Sequence, residues 1–265
     1  MTLRPHQLSK IIPRFETRLA NSRADLHAAQ RLRYNVFVAE LGADGPGVDH
    51  KMQLERDHYD AFAQHLLLLD RARPASDQVV GVYRVMTQDM AARAGRFYCE
   101  DEYDLTVLRQ SDQTLLELGR SCLHPDYRGG AGMMHLWAAL SDYVTAQKID
   151  VLFGVASFHG TDIASLVAPL SLLHHKHLAP SALRVTAKGQ TAQRMDILAA
   201  DQIDRVAAVR QIPALIKAYL RLGGTVGDGA FVDHDFNTTD ICLILQKNAI
   251  SALQHKIYAN GGARG

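Results

Sequence analysis

The stretch Thr114–Gln147, TLLELGRSCLHPDYRGGAGMMHLWAALSDYVTAQ, decides the fold. Its first part, Thr114–Leu123, is rich in leucine and predicts a strand. The glycine-rich loop Pro125–Gly132 follows, and Met133–Gln147 then places apolar residues at helical spacing. A loop between a strand and a helix offers backbone N–H groups that can hold an anion or a carbonyl oxygen. A plain strand-to-helix turn remains the alternative, because the loop matches neither a Walker loop nor a dinucleotide fingerprint.

Hydrophobic patterns on both sides of this stretch predict a mixed α/β domain. The charged and turn-forming residues between these patterns mark the connections, and Met90–Ser111 is a mixed excursion without a clear period. The other predicted elements are a helix over Arg23–Glu40, strands over Gln64–Leu69, Val79–Met86 and Val151–Ala156, a helix over Asp162–His175, a short strand over Leu183–Ala187, a helix opened by Pro213, and strands over Gly229–Val232 and Ile241–Leu245. This order predicts a mixed central sheet flanked by helices.

Composition narrows the class of protein. The chain has 265 residues, of which 47% are apolar and 22% charged, and its net charge is +1. These values are typical of a globular protein. The balanced charge argues neither for nor against nucleic acid, and we expect no nucleic-acid partner. We find no apolar run long enough for a membrane span and no signal-peptide pattern at the N-terminus. The three cysteines show neither disulfide nor metal spacing, which together with these features predicts a cytoplasmic protein.

The strand segment Glu117-Leu118-Gly119-Arg120 carries a candidate catalytic carboxylate. Alternate residues of a strand share a face, so Glu117 and Gly119 are expected on one side and Arg120 on the other, unless a bulge intervenes. Neighbouring leucines predict burial of Glu117, which raises a carboxyl pKa and suits the group to accept a proton. A buried salt bridge with Arg84 or Arg33 is the alternative.

Other polar segments have a functional and a structural interpretation. Glu55–Asp60 places three carboxylates in six residues, and it is either an amine-binding group or a solvated turn. Asp233–Asp240 mixes acids, an amide and hydroxyls, and it is either a pocket rim or a loop of Asx turns. His174, His175 and His177 lie near a predicted helix C-terminus, where cationic histidine favours the dipole, so no metal site is expected.

Taken together, these segments resemble one superfamily of acyltransferases. The series Arg33-Tyr34-x-Val36-Phe37-x-x-Glu40, Asp57-His58-Tyr59-Asp60, Arg84 and Glu117-x-Gly119-Arg120 is similar to the motifs of acyl-homoserine-lactone synthases, which have the GNAT fold and use acyl carrier protein as donor. The segments Pro213–Gly224 and Asp235–Asp240 resemble the ornithine-lipid acyltransferases instead. In that family a 3-hydroxyacyl group passes from acyl carrier protein to the α-amine of ornithine.

The resemblance implies a GNAT acyltransferase fold with a C-terminal helical and strand extension. We expect an N-terminal segment over 1–22, an acyltransferase core over 23–190, a C-terminal extension over 191–258 that completes the domain, and a disordered tail over 259–265. The acyl-homoserine-lactone synthases, a glutamine acceptor and a non-catalytic acyl-carrier-binding module remain the alternatives. An amphiphilic product also implies possible peripheral membrane contact.

The resemblance also implies roles for individual residues. Catalytic roles fall to Glu117, Asp57 and Asp60, with Glu117 as the base. Substrate binding falls to Arg33, Phe37, Arg84, Arg120, Asp235 and Asn237. Donor binding falls to Leu123, Arg128, Gly129, Gly130, Ala131 and Gly132.

One departure from the usual GNAT loop, Q/R-x-x-G-x-G/A, bears on the donor. Counted from Arg128, this chain has Ala131 and Met133 at the last two positions. The departure weakens a coenzyme A pyrophosphate site. We therefore expect the phosphopantetheine thioester of acyl carrier protein as co-substrate, with no other cofactor.

Overall fold

A nine-stranded mixed sheet organises the computed structural model, which describes residues 12–246. Its strands are β1 Phe15–Leu19, β2 Gln64–Asp70, β3 Val79–Thr87, β4 Leu115–Leu123, β5 Val151–His159, β6 Ala192–Gln193, β7 Thr225–Val226, β8 Ala230–Asp233 and β9 Thr238–Gln246. Across the sheet the order is β1-β2-β3-β4-β5-β9-β8-β6, and β7 pairs with β9. Neighbouring strands are antiparallel except β4 and β5, which are parallel. The α/β fold predicted from the sequence is confirmed.

Helices surround this sheet. They are α1 Arg23–Arg33, α2 Gln88–Ala94, α3 Thr106–Arg109, α4 Gly132–Ala146, α5 Ile163–His177, α6 Arg205–Gln211 and α7 Ala214–Arg221. The side chain of Ser22 accepts the N–H of Asp25 at 3.1 Å and caps the first of them. The predicted helix over Arg23–Glu40 changes type, because residues Tyr34–Glu40 continue it as a π-helix.

The leucine run of β2 shows why a strand can be apolar at every position. Alternate side chains point to opposite faces of a sheet. Leu66 and Leu68 pack in one core with residues of α4, whereas Leu67 and Leu69 pack in another with residues of α1. Both faces of the strand are therefore covered by helices, and the sheet lies in the middle of the domain.

Some elements differ from the sequence-based prediction. Strand β1 forms an edge of the sheet within the predicted N-terminal segment. The short strand predicted over Leu183–Ala187 is confined to Thr186–Ala187. Strand β9 lies inside the central sheet and pairs with β5 along its whole length, so the predicted C-terminal extension contributes to the core. The predicted tail, 259–265, lies outside the described residues.

Two further findings concern the described residues alone. No helix within residues 12–246 is long and apolar enough to cross a membrane. The three cysteines are buried and form no disulfide.

The two parallel strands stay together only at their beginnings. Pairing of β4 with β5 runs from Leu115 and Val151 to Glu117 and Phe153. Beyond this point the ladder of paired residues ends, and Gly154 is the first residue of β5 without a partner in β4, although Leu118 still lies close to it. A Cβ atom at Gly154 would lie 2.1 Å from the carbonyl oxygen of Leu118, so the absent side chain allows a close backbone approach.

Gly154→Ala should therefore lower the free energy of unfolding by about 1–3 kcal/mol, because a methyl group would meet a backbone atom that has little room to move. Urea denaturation measures this change. Gly130→Ala is the matched control, since a Cβ there meets nothing within 4 Å. The control should stay within about 0.5 kcal/mol of the unmodified protein. Equal stability of the two variants would show that the approach at Gly154 does not constrain the strands.

Candidate active site

A cavity of about 220 Å³ opens where β4 and β5 separate. Residues 118–121 of β4 and 152–157 of β5 form two of its walls. Aromatic side chains from other elements and residues of β9 complete it. The cavity therefore combines strand edges that lack a neighbour with apolar side chains, an arrangement that suits a long and partly polar ligand.

A β-bulge in β4 shapes this cavity. Val82 of β3 pairs with Cys122, but Arg84 pairs with Gly119, so two residues of β4 stand opposite Tyr83. Arg120 has a φ of +50°, a backbone conformation that costs a non-glycine residue about 1–3 kcal/mol. The bulge places both Gly119 and Arg120 in the cavity wall, although a regular strand would point them to opposite faces.

Arg33, at the end of α1, lies at the centre of a buried ion network. Its guanidinium group donates to Asp60 at 2.7 Å and to Glu55, and its side chain is 0% exposed. Burial alone would raise the pKa of Glu55, but the charges of Arg120 and Arg33 lower it below its usual value. The network keeps these buried groups ionised.

Two further arginines complete the network. Arg84 donates to both oxygens of Asp57 at 2.6 Å and to Asp60 at 3.1 Å. Arg120 donates to Glu55 at 3.2 Å and to Asp57 at 3.0 Å. Three arginines thus face three carboxylates, and their charges balance. The pKa of Asp57 is lowered because the charges of Arg84 and Arg120 outweigh its burial.

The contacts within the network bear on the roles predicted for several site residues. Arg33, Arg84 and Asp60 are buried and do not line the cavity, and their charged groups bind members of the network. Arg120 is the member whose side chain does reach the cavity wall. Asp57 is 18% exposed, but two arginines occupy its oxygens. The predicted residues Arg33, Asp57, Asp60, Arg84 and Arg120 do lie together in one network. The other members of the network support Arg120.

Aromatic rings hold Arg120 from two sides. Its guanidinium carbon lies 4.6 Å from the ring centre of Tyr98 and 4.5 Å from that of Phe236. Phe37, a predicted substrate-binding residue, lines the cavity and contacts Phe236 edge to face at 6.2 Å. These stacked groups fix the orientation of the guanidinium plane.

Glu117, the predicted base, was expected to face the cavity, but it is not among the residues that line it. Its side chain is buried, and its two oxygens accept the backbone N–H groups of Tyr98 at 2.9 Å and Cys99 at 2.6 Å. Burial raises its pKa, and the bonds from Cys99 and Tyr98 and the charge of Arg84 oppose that shift. No ion pair with Arg33 or Arg84 forms. The carboxylate therefore holds the turn from which the ring of Tyr98 reaches the cavity.

The polar segment Asp233–Asp240 lines the cavity with other residues than those predicted. Asp235 accepts the N–H of Asp44 with its backbone oxygen, and Asn237 occupies a turn with a φ of +52°. Neither lines the cavity. Asp233, Thr238 and Asp240 do line it, which alternation along a strand could have indicated for the last two.

One group of carboxylates has the spacing of a cation site. Single oxygens of Glu102, Asp233 and Asp240 lie within 4.8 Å of one another, and this is the group found among the described residues. Burial raises the pKa of Asp240 to about 6, and the charge of Asp233 adds to the shift. Glu102 gave no signal in the sequence, because it follows Glu100 and Asp101 in a segment that resembles an exposed acidic turn.

The predicted donor loop stands apart from the cavity. Arg128 donates to the backbone oxygen of Leu123 at 3.2 Å and forms an ion pair with Glu40 at 2.5 Å. Gly129 has a φ of +71°, which favours glycine, and Ala131 precedes helix α4, which begins at Gly132. A Cβ at Gly129 or Gly130 would meet nothing within 4 Å, so this turn is open to a ligand.

The mixed sheet flanked by helices is the fold of an acyltransferase of the GNAT class. Residues 32–138 match the family model described as an acetyltransferase (GNAT) domain. A CoA-dependent acyl-homoserine lactone synthase of known structure is 15% identical, with a TM-score of 0.49 over 88% of this chain and 81% of that chain.

Sequence relatives give the particular family. The L-ornithine N(alpha)-acyltransferase of Rhodobacter capsulatus is 55% identical over 246 residues, which cover 92% of this chain and 94% of the relative. The protein of the same name from Brucella abortus is 42% identical over 241 residues, which cover 89% of this chain and 86% of the relative. This chain belongs to the L-ornithine N(alpha)-acyltransferase family.

Arg33→Met should lower the free energy of unfolding by about 3–5 kcal/mol, because it removes one of the two arginine partners of Glu55 and of Asp60 and leaves the buried network with an excess negative charge. Thermal and urea denaturation measure the change. Arg128→Met is the matched control, since it removes an arginine from a largely exposed ion pair. That substitution should change stability by about 0–1 kcal/mol. A similar small effect at both positions would mean that the network does not hold the fold together.

Proposed function

We propose that this enzyme transfers a 3-hydroxyacyl group from the thioester of acyl carrier protein to the α-amine of ornithine, giving a lyso-aminolipid. The observation that carries the proposal is the cavity between β4 and β5, bounded by an unpaired strand edge and a bulge. The names of the relatives support ornithine as the acceptor. Product release by this route includes peripheral membrane contact, since a lyso-aminolipid is amphiphilic.

The separated strands suit a phosphopantetheine arm. Residues Gly154–Ser157 of β5 line the cavity and have lost β4 as a partner on that side. An extended molecule with amide groups can add to such an edge through backbone hydrogen bonds. In the proposal the arm lies along β5, and its phosphate meets the open turn at Gly129 and Gly130 before helix α4, where N–H groups attract an anion.

The bulge suits a thioester carbonyl. A bulge leaves a residue out of the strand ladder, so backbone groups near Gly119–Ser121 become available to a ligand. N–H groups aimed at the carbonyl oxygen stabilise the charge that develops on it during attack. The rigid support of Arg120 by the ion network keeps this backbone in place.

The proposed reaction is a direct aminolysis. The neutral α-amine attacks the thioester carbon, a C–N bond forms, and the C–S bond breaks. The proton lost by the amine is taken up, directly or through water, by the departing thiolate, so the overall reaction consumes no proton. A free α-amine has a pKa near 8, so an appreciable fraction of it is already neutral at the pH of the cell.

The donor can be tested with one acyl chain carried on three thioesters. We expect kcat/KM for 3-hydroxyacyl carrier protein to exceed that for 3-hydroxyacyl-CoA by about 10²-fold at low salt, because electrostatic docking raises the association rate. The advantage should shrink as salt rises. The acyl-pantetheine thioester, which is uncharged, is the matched control and should respond little to salt. Equal efficiency with acyl carrier protein and coenzyme A would contradict the proposal.

A second test separates a base from a positioning residue at Glu117. Glu117→Gln can accept only one of the two N–H groups that the carboxylate accepts, so it should lower stability by about 1–3 kcal/mol. We expect kcat to fall by less than about tenfold and the pH profile of kcat/KM to keep its shape. A catalytic base would instead give a loss of about 10²- to 10⁴-fold and remove the acidic limb of the profile. Thermal melts and pH–rate profiles of one preparation distinguish the two.

A further inference from the structure

Two carboxylates line the cavity, and a third lies buried beside them. Asp233 and Asp240 line it, and single oxygens of these two residues and of Glu102 lie within 4.8 Å of one another. Glu102 and Asp240 are each 3% exposed. Among the described residues, none of the three forms an ion pair with a lysine, arginine or histidine.

Two oxygens of this group lack a hydrogen-bond partner within the described chain. They are Oε2 of Glu102 and Oδ1 of Asp240, and both are buried. An unpaired polar atom in the interior costs about 1–3 kcal/mol, and a charged one costs more. Asp233 is different, because its Oδ1 accepts the N–H of Phe236 at 3.0 Å and its side chain is half-buried. The unpaired oxygens therefore indicate that a ligand completes the group.

Arg120 does not supply the missing charge. Its Nε and Nη2 atoms already donate to Glu55 and Asp57. Its charge lowers the pKa of Glu102 and Asp240, but burial and mutual repulsion outweigh it and raise both values. Burial and mutual repulsion thus favour the protonated forms of Glu102 and Asp240, and a cation placed among the three groups would favour their ionised forms.

We propose that Glu102, Asp233 and Asp240 bind the side-chain ammonium group of the acceptor amino acid and thereby select a diamino acid. This inference rests on the proposed function, because the cavity must be the place where the amino acid is acylated. The three residues then determine specificity, and they hold the end of the substrate that does not react.

The geometry fits an ammonium group. Such a group has three N–H donors. Carboxylate oxygens that accept them at about 2.8 Å in tetrahedral directions lie about 4.6 Å apart, a separation that three oxygens within 4.8 Å of one another can provide. Oxygens around Mg²⁺ at about 2.1 Å lie about 3 Å apart when their directions are perpendicular, and the same upper bound admits that separation. Binding of a metal ion is therefore a competing outcome of the test.

Norvaline provides the comparison, because it has the carbon chain of ornithine without the side-chain ammonium. A site built for an N–H group rejects the analogue that lacks it by about 10⁴-fold. We expect the unmodified enzyme to favour ornithine over norvaline by a ratio of kcat/KM of this order. Glu102→Gln and Asp240→Asn should each reduce the ratio by about 10²-fold, with the larger loss in kcat/KM for ornithine.

Asp196→Asn is the matched control, since it removes a carboxylate that pairs with Arg194 on the surface. It should leave the ratio unchanged. Melting without substrates supplies a second readout. Loss of an unpaired buried carboxylate should leave the melting temperature of Glu102→Gln and Asp240→Asn equal or higher. A lower melting temperature with equal losses for both amino acids would overturn the inference in favour of a structural role. If Asp240→Asn does not fold, Asp233→Asn, with its half-buried side chain, takes its place.

Calorimetric titration with ornithine and norvaline keeps the test independent of turnover. Tighter binding of ornithine that is lost in Asp240→Asn supports the inference, and equal binding overturns it. Absence of acyl transfer to every amino acid would defeat the proposed function, whereas transfer without preference for ornithine would defeat only this inference. Saturable binding of Mg²⁺, Ca²⁺ or Zn²⁺ alone that disappears in Asp240→Asn would show a metal site and would also overturn it.

Discussion

The balance of charge around Arg33 is the constraint on which the site depends. A buried ion without a partner costs several kcal/mol, so three buried arginines require three carboxylates in fixed places. The resulting ion pairs connect the end of α1, the segment Glu55–Asp60 and strands β3 and β4. It also holds Arg120 in a backbone conformation that β4 would not adopt without support. The bulge, and with it the opening between β4 and β5, follows from these contacts.

Two groups of charged residues lie beside the cavity, and only one of them contains equal numbers of positive and negative charges. The arginine network balances its own charges, so it stabilises the fold, although Nη2 of Arg33 and Nη2 of Arg84 have no hydrogen-bond partner within the described chain. The group of Glu102, Asp233 and Asp240 has two buried oxygens without a hydrogen-bond partner within the described chain, and it includes no arginine, lysine or histidine of the described residues to balance its charge. Active sites commonly keep such unsatisfied groups, because an interaction completed only by substrate gives binding and selectivity. We therefore assign the arginine network to maintaining the site, and in our proposal the group of Glu102, Asp233 and Asp240 recognises the substrate.

Much of the fold and part of the site followed from local sequence patterns. The leucines of β2 and the helical spacing in α4 predicted the bounds of both elements to within one residue at each end. The reason is that the spacing of hydrophobic residues indicates which face of an element is buried. The motif residues around Arg33, Asp57 and Glu117 were also expected near one another. By contrast, the π-helical turn after Arg33 and the edge strand β1 depend on pairing and packing with distant residues, which a local window does not contain.

The sequence by itself thus determined the elements, their order, the family and the collection of charged residues from which the site is made. The tertiary structure alone decided what each charge does. Arg84 and Asp60 bind each other, and Glu117 holds a turn, because their partners come from other parts of the chain. Glu102 resembled a solvated acid until folding placed it beside Asp240. Burial and charge are properties of the surroundings in space, and residue type and spacing do not specify them.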